Sequence, residues 1–371
     1  MGMRILWITG RRLDSDLAAS TEAGLSKALT RIGLEIRMIS PSSSGFEGIL
    51  GHSFVEQSKI RGLQTISAGR NCAKLIKRDS DLLREVDLVL VDWRLVGSVW
   101  KTLRKSEIPW AIIDRGPPAN EGMLAEIQNF QWKRSWNIAR RHSIGGFVVS
   151  PEHERLVRQF VSKGMVIFPV PAGTNIGDFN FHPKYPKDEV KFVYSGGLDE
   201  NRGMSRMLGL LDSMDRLPIK ANLVIAGSGN WEKEIQSIAS KDERLHFLGE
   251  IGFDEVCKML EEAHVGIMPM PETRIWRTSS PLKLAEYLAS GLITIGPKHQ
   301  GNSLLGENSW ELLSESENWD EECIGLISDL IESKSWREAS EQSRRDSSVL
   351  DWGNIANGFI DNVMGMMDQS L

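Results

Sequence analysis

The run Val190-Lys191-Phe192-Val193-Tyr194-Ser195-Gly196-Gly197-Leu198-Asp199-Glu200-Asn201-Arg202-Gly203-Met204 passes from strand to loop to helix within fifteen residues. It opens as a β-branched and aromatic run and breaks at paired glycines. It then enters the stretch 204–214, which has helical period. A strand that ends in glycines before a helix is the building unit of a parallel sheet with crossover helices. Glycine allows close approach of backbone to ligand, and the unpaired amides of a helix start favour a phosphate. Arg202 adds a guanidinium able to make two parallel hydrogen bonds to a phosphate. Neither G-x-G-x-x-G nor a P-loop lysine motif is present, and a plain strand-to-helix turn uses the same residues.

The alternation continues on both sides of this run. Downstream, residues 222–226, 245–248, 265–268 and 292–296 read as strands and 254–262 as a helix. Upstream, residues 3–9, 35–40, 88–91, 110–114, 146–150 and 165–170 read as six strands, with an amphipathic helix over 17–32 ended by Gly33. Residues 174–188 are rich in turn formers and prolines and read as a linker between two Rossmann-like sheets. The tail 335–367 has helical pattern with no strand after it, and no sequence repeat points to a solenoid.

Composition agrees with this organisation. A chain of 371 residues, 41% hydrophobic and 25% charged, has room for two or three domains of ordinary globular make-up, which excludes disordered and collagen-like classes. Cys72, Cys257 and Cys323 are widely spaced, without a C-x-x-C pair, so neither a disulfide framework nor a zinc site is indicated, and a reducing cytoplasm is expected. No apolar run approaches the ~20 residues of a membrane span. The apolar residues 3–9 are cut off by Arg11, Arg12 and Asp14, too early for a signal peptide.

The net charge of −6 conceals an asymmetry. Residues 1–187 carry 27 Lys+Arg against 18 Asp+Glu, and residues 188–371 carry 17 against 32, so the halves stand at +9 and −15. A positive half attracts phosphates, anionic lipid or nucleic acid. Nucleic acid is disfavoured because no reading module is recognisable. Trp132-Lys133-Arg134-Ser135-Trp136 with Arg140-Arg141-His142 has the composition of a helix resting on a lipid headgroup layer, and Lys74, Lys77 and Arg78 form a second basic face opposite Cys72, Leu75 and Ile76.

A second station is Arg277-Thr278-Ser279-Ser280-Pro281-Leu282-Lys283-Leu284-Ala285-Glu286-Tyr287-Leu288-Ala289-Ser290-Gly291. Ser280 reads as an N-cap and Pro281 as the first helical residue. Lys283 and Glu286, three apart, share a face of that helix. The helix follows strand 265–268, so its start falls at the carboxyl end of the sheet, where open α/β sheets bind ligands. A cation for phosphate beside a carboxylate for hydroxyls suits a nucleotide diphosphate sugar, whereas a capped helix with a surface ion pair is the plainer account.

On these two stretches the chain resembles a retaining GT-B glycosyltransferase, similar to the large family 4 group, most strongly over residues 146–297. Arg202-Gly203 stands where a Lys-Gly is common, the turn with Gly227 resembles the next strand and turn, and 280–291 resembles the donor helix S-P-L-K-x-x-E-Y-x-A-x-G. The resemblance implies an α/β GT-B fold of two Rossmann-like domains facing across a cleft: an acceptor domain over 1–187, a nucleotide-sugar domain over 188–345, and a helix over 346–371 that crosses back to the first. It implies donor contacts from Gly196, Gly197, Arg202, Gly227, Thr278, Ser279, Ser280, Leu282, Lys283 and Glu286, with Glu286 on the ribose hydroxyls. Arg202 and Lys283 would stabilise charge on the departing diphosphate. Asp114 would orient or deprotonate the acceptor hydroxyl, and Arg11, Arg12 and Arg115 would hold an anionic or lipid-linked acceptor.

No metal or cofactor is expected beyond the nucleotide diphosphate sugar as substrate, since two cations can take the charge. The sequence departs from the pattern at Thr278, where many members have a glutamate eight before Glu286, and at Gly197, where a basic residue often stands. The acceptor loop also departs, with Asp16, Leu17, Ala18 and Ala19 in place of a glycine pair. A sugar-nucleotide-binding subunit without catalysis and a GT-B sugar-nucleotide epimerase are the alternatives.

Overall fold

Two all-parallel sheets carry the chain in the computed structural model, which describes residues 2–13, 20–45, 48–60, 63–118, 123–303, 308 and 310–369. Contacts divide it into two units, residues 1–173 with 352–371, and residues 174–351. The first sheet has seven strands: β1 (Arg4–Ile8), β2 (Glu35–Ser40), β3 (Gly51–Phe54), β4 (Leu88–Asp92), β5 (Trp110–Ile113), β6 (Gly145–Val148) and β7 (Ile167–Pro169). Their order is β3-β2-β1-β4-β5-β6-β7. The second has six: β8 (Glu189–Ser195), β9 (Lys220–Ala226), β10 (Leu245–Gly249), β11 (Val265–Ile267), β12 (Ile293–Pro297) and β13 (Glu311–Ser314), ordered β10-β9-β8-β11-β12-β13. The direction of winding reverses beside β1 and beside β8, so each sheet has its switch point there.

Continuous apolar strands such as Leu88-Val89-Leu90-Val91 are buried on both faces because helices cover a parallel sheet from two sides. In the first unit α1 (Ser20–Arg31) lies on one side, and α2 (Gln64–Arg78), α3 (Trp93–Ser106) and α4 (Met123–His142) share a cluster on the other. A short α5 (Pro151–Arg158) follows β6, capped by the Ser150 side chain with Pro151 in its first turn. The second unit holds α6 (Met204–Met214), α7 (Glu232–Ala239), α8 (Phe253–Glu262), α9 (Arg274–Arg277), α10 (Leu282–Ala289), α11 (Trp319–Glu332) and α12 (Trp336–Asp346). The chain then returns to the first unit as α13 (Trp352–Asp368), which buries Trp352, Ile355 and Phe359 against Leu25 and Leu29 of α1.

Several expectations are corrected here. Each sheet has one strand more than the pattern indicated. Gly51-His52-Ser53-Phe54 and Glu311-Leu312-Leu313-Ser314 lie at sheet edges, where one neighbour suffices and no long apolar run is required. Residues 174–188 pack as part of the second unit: Thr174 bridges Asp351, Phe179 is buried, and the Lys184 ammonium donates to the Leu260 carbonyl at 3.3 Å. Trp132 and Trp136 point into the core of the first unit and contribute nothing to an exposed face. The helix expected from residue 17 is described from Ser20, and Asp16, Leu17, Ala18 and Ala19 lie outside the described residues.

Candidate functional site

In the second unit the loops after β8 and β9 interlock at the carboxyl end of the sheet. Gly196 N–H donates to the Ala226 carbonyl at 3.0 Å and Leu198 N–H to the Ser228 carbonyl at 2.9 Å. Gly227 has φ +140°, and a Cβ there would sit 1.9 Å from the Gly196 oxygen, so only glycine lets these turns nest. The chain then forms a single turn of 3-10 helix, Glu200–Arg202, closed by Gly203 at φ +80°. A Cβ on Gly203 would come within 2.0 Å of the Pro269 carbonyl oxygen. The pattern of glycines and one arginine is thus a backbone device that presents Arg202.

Lys283 reaches this turn from the first turn of α10. Its side chain is 8% exposed, its Nζ lies 3.3 Å from the Tyr194 hydroxyl and 4.3 Å from the Tyr194 ring centroid, and Gly196 leaves the space it fills. The Arg202 guanidinium lies over Trp276 at 5.1 Å, and its Nε occupies the room that a side chain at 197 would take. That packing gives a physical account of the missing basic residue at Gly197. Tyr194 in turn donates to the Gly197 carbonyl at 2.8 Å. Burial pushes its hydroxyl up to about 12, opposed by Arg202.

The electrostatics join the three groups singled out by sequence. Burial lowers Lys283 to about 7, with the Arg202 charge adding to the shift and Glu286 opposing it. Burial raises Glu286 to about 7, opposed by the Lys283 ammonium. The structure therefore brings Gly196, Gly197, Arg202, Lys283 and Glu286 into one desolvated neighbourhood. It also supplies Tyr194 and Trp276, which the sequence did not mark: an aromatic inside a strand and one in a single-turn helix carry no spacing signal. A partly exposed guanidinium beside a buried amine and carboxyl is competent to bind a diphosphate and a diol, and binding would restore the Lys283 and Glu286 charges that burial suppresses.

The helix start differs in detail from expectation. Pro281 occupies the N-cap position and Leu282 the first helical one, so Ser280 is not the cap. Thr278 is buried, and its hydroxyl donates toward the Arg274 and Ile275 carbonyls at 2.9 and 3.1 Å. The Ser279 hydroxyl donates to the Trp276 carbonyl at 2.7 Å. Both protons serve the backbone of α9, which leaves these oxygens as acceptors only.

The first unit gathers charge at the carboxyl ends of β1, β4 and β5. Asp114 is fully buried: its Oδ2 accepts from the Trp132 indole at 2.5 Å and the Trp136 indole at 2.8 Å, and its Oδ1 from the Gly116 amide at 3.1 Å. His153 Nε2 lies 3.3 Å from the same Oδ2, and the Val149 amide faces the other ring nitrogen. Burial alone would push the Asp114 carboxyl up, but His153 and the two indoles outweigh it and hold the carboxyl below the ordinary range. Every oxygen of Asp114 is thus engaged by its own unit. It is built as a hub that positions the loop, and the expected role as a base on the acceptor has no free oxygen to use.

Around it lie Arg11, Glu22, Asp92, Arg94 and Arg115. Asp92 caps α3 through the Arg94 amide, Arg115 donates to the Val170 carbonyl at 2.6 Å, and Arg11 stands 3.3 Å from Glu22. Arg12 is exposed. Burial lowers Arg115 to about 10, with Glu22 opposing. Glu22, Asp92 and Arg94 were not anticipated, although Asp92-Trp93-Arg94 ends a strand just as Asp114-Arg115 does. Burial raises Glu22 to about 7, opposed by Arg11, so the folded state favours its neutral form and the stability this group contributes is lost as pH rises through 7. Glu22→Gln should accordingly raise the melting temperature by a few degrees near pH 8 and leave it unchanged near pH 4.5, as differential scanning calorimetry would show.

Residues 189–333 match the family model described as glycosyl transferases group 1. No curated protein matches the sequence. Among solved structures, sucrose-phosphate synthase from Thermosynechococcus elongatus superposes with a TM-score of 0.74 at 16% identity, covering 99% of this chain and 100% of that one. A glycosyltransferase from Rickettsia africae gives 0.73 at 12% identity, with 99% of each chain covered. Anabaena HepE in complex with UDP-glucose gives 0.69 at 13% identity, covering 98% of this chain and 100% of that one. The fold is that of the GT-B glycosyltransferases, and the stretch similar to the group 1 glycosyltransferase model lies within the second unit.

Proposed function

We propose that this protein is a retaining glycosyltransferase that moves a sugar from a nucleotide diphosphate sugar to a hydroxyl acceptor, in cell-surface polysaccharide or glycolipid synthesis. The observation that carries the reading is the convergence of Arg202 and Lys283 on one glycine-lined turn, with Glu286 beside Lys283. HepE, of the same fold, binds UDP-glucose, which makes UDP-sugars the first donors to test here. As the bond to the anomeric carbon breaks, negative charge builds on the diphosphate. Arg202 and Lys283 stabilise that charge without a metal, and Glu286 accepts hydrogen bonds from the ribose hydroxyls. In the first unit Arg11, Arg12 and Arg115 hold an anionic or lipid-linked acceptor, and Asp114 keeps Arg115 and its loop in place. A thermal-shift screen with UDP-, GDP-, ADP- and dTDP-sugars tests the reading, since a donor at a hundredfold excess over its Kd stabilises by about 2.7 kcal/mol. A flat response to all four would end it.

Thr278 favours a second reading. With its hydroxyl proton spent on α9, the site lacks the carboxylate many related enzymes place there, as in a sugar-nucleotide-binding subunit. Donor binding without transfer or hydrolysis across plausible acceptors would select it. An epimerase would require an acid and base pair at the sugar, and the three charged groups assembled here are those of diphosphate and ribose recognition.

Donor affinity should follow a bell in pH. The Lys283 ammonium strengthens diphosphate binding and in the free protein is lost above about 7, so Kd rises on that side toward the weaker value of the neutral amine. Ribose binding requires the Glu286 carboxylate, which is protonated below about 7, so Kd rises again toward acid. Titration calorimetry with UDP-glucose across this range checks the shape. Glu286→Gln should remove the acidic limb and move the basic limb to lower pH, because Glu286 no longer supports the Lys283 ammonium.

A further inference from the structure

We propose that the outward faces of α2, α3 and α4 form a docking surface for an anionic lipid bilayer. The three helices pack side by side on one face of the first sheet, burying their apolar stripes in a common cluster. Among their charged residues every one on α2 and α3 is cationic, and Glu126 is the single carboxylate on α4. On α2 Arg70, Lys74, Lys77 and Arg78 fall on one exposed stripe, and on α3 Lys101, Arg104 and Lys105 do the same. On α4 Lys133, Arg134, Arg140 and Arg141 continue the layer. None of these eleven forms an ion pair among the described residues, whereas arginines elsewhere in the unit, such as Arg4, Arg155 and Arg158, are paired. Unpaired cations in such number repel one another and persist at a cost that an external anion removes.

The geometry favours a planar partner. Helices about 15 residues long, with axes roughly 10 Å apart, make a face of about 20 by 25 Å. The Trp100 ring stacks on His142 with centroids 4.8 Å apart, which locks α3 to α4 in that layer. Apolar side chains stand among the charges: Phe130 is 69% and Ile127 51% exposed, on the same α4 stripe as Arg134 and Arg141. Cations around protruding apolar groups suit headgroups above an acyl boundary. The layer belongs to the first unit and would bring a lipid-linked acceptor to the unit proposed to bind it.

The test is vesicle flotation of the full chain with phosphatidylcholine alone and with about 30% phosphatidylglycerol, at about 0.1 and 0.5 M salt. Binding is expected only to the anionic vesicles and only at low salt. Lys101→Gln, Arg104→Gln and Lys105→Gln together should lower the partition coefficient about 10²-fold, roughly fivefold per cation. Phe130→Ser should weaken what binding survives at intermediate salt. Equal binding to neutral vesicles, unchanged flotation of the triple variant, or tighter binding to a short DNA duplex than to anionic vesicles would overturn the proposal. UDP-glucose affinity of the triple variant should equal that of the wild type. Loss of donor binding in both proteins would sink the sugar-transfer reading and leave this one standing.

Discussion

Lys283→Ala is expected to lower kcat by about 10²–10³-fold with donor and acceptor both saturating, with a smaller effect on donor Kd. The ammonium is held by burial beside Tyr194 and against the Gly196 backbone, so it has no freedom to move away as charge develops on the diphosphate. A fixed charge in a dry site gains most when the leaving group becomes most negative, which is the definition of a transition-state contribution. The fold should tolerate the change. A lysine whose pKa is pulled to about 7 contributes little as a cation to the folded state, and the unchanged melting curve is the control. Lys283→Arg should not rescue turnover, because the larger guanidinium cannot enter the slot that Gly196 leaves. Turnover within a few-fold of wild type would remove Lys283 from the mechanism.

Asp114→Ala should lower the melting temperature of the protein by roughly 10 °C, the equivalent of about 3–5 kcal/mol in the first unit. The substitution strands the Trp132 and Trp136 indoles, the Gly116 amide and His153 in the core, each without the oxygen it faces. Asp114→Asn separates a hub from a base. An amide retains the shape but turns donors toward donors, so a hub loses stability and activity together. A variant that melted as wild type yet lost acceptor-dependent turnover would show that Asp114 touches the acceptor, and the positioning role would be wrong.

Much of the local geometry of the candidate donor site was legible in the sequence. Glycine at 196, 203 and 227, where φ is positive, marks turns that favour glycine; Arg202 directly precedes one of them, and Lys283 and Glu286 stand three apart on one helix. Offsets of this kind are local, and local geometry follows from backbone sterics. The partners that complete the station were not legible. Tyr194 meets Lys283 across 89 positions and Trp276 meets Arg202 across 74, separations that no periodicity spans. The same limit explains α4. Trp132, Trp136 and Ala139 follow the spacing of a core stripe, yet the composition around Trp132 matched a membrane helix equally well. Only the place of α4 against Asp114 separates the two.

What the amino-acid order by itself determined was the alternation of strands and helices, the two parallel sheets and the turn that presents Arg202. These depend on side-chain period and on glycine, which act within a few residues. The tertiary structure alone decided which strands close the edges and that residues 174–188 belong to the second unit. It also decided that Asp114 is consumed by its neighbours, and that the cations of three separate helices share one face. Those outcomes come from strand order and from burial, and both arise only when distant segments pack and exclude water between them.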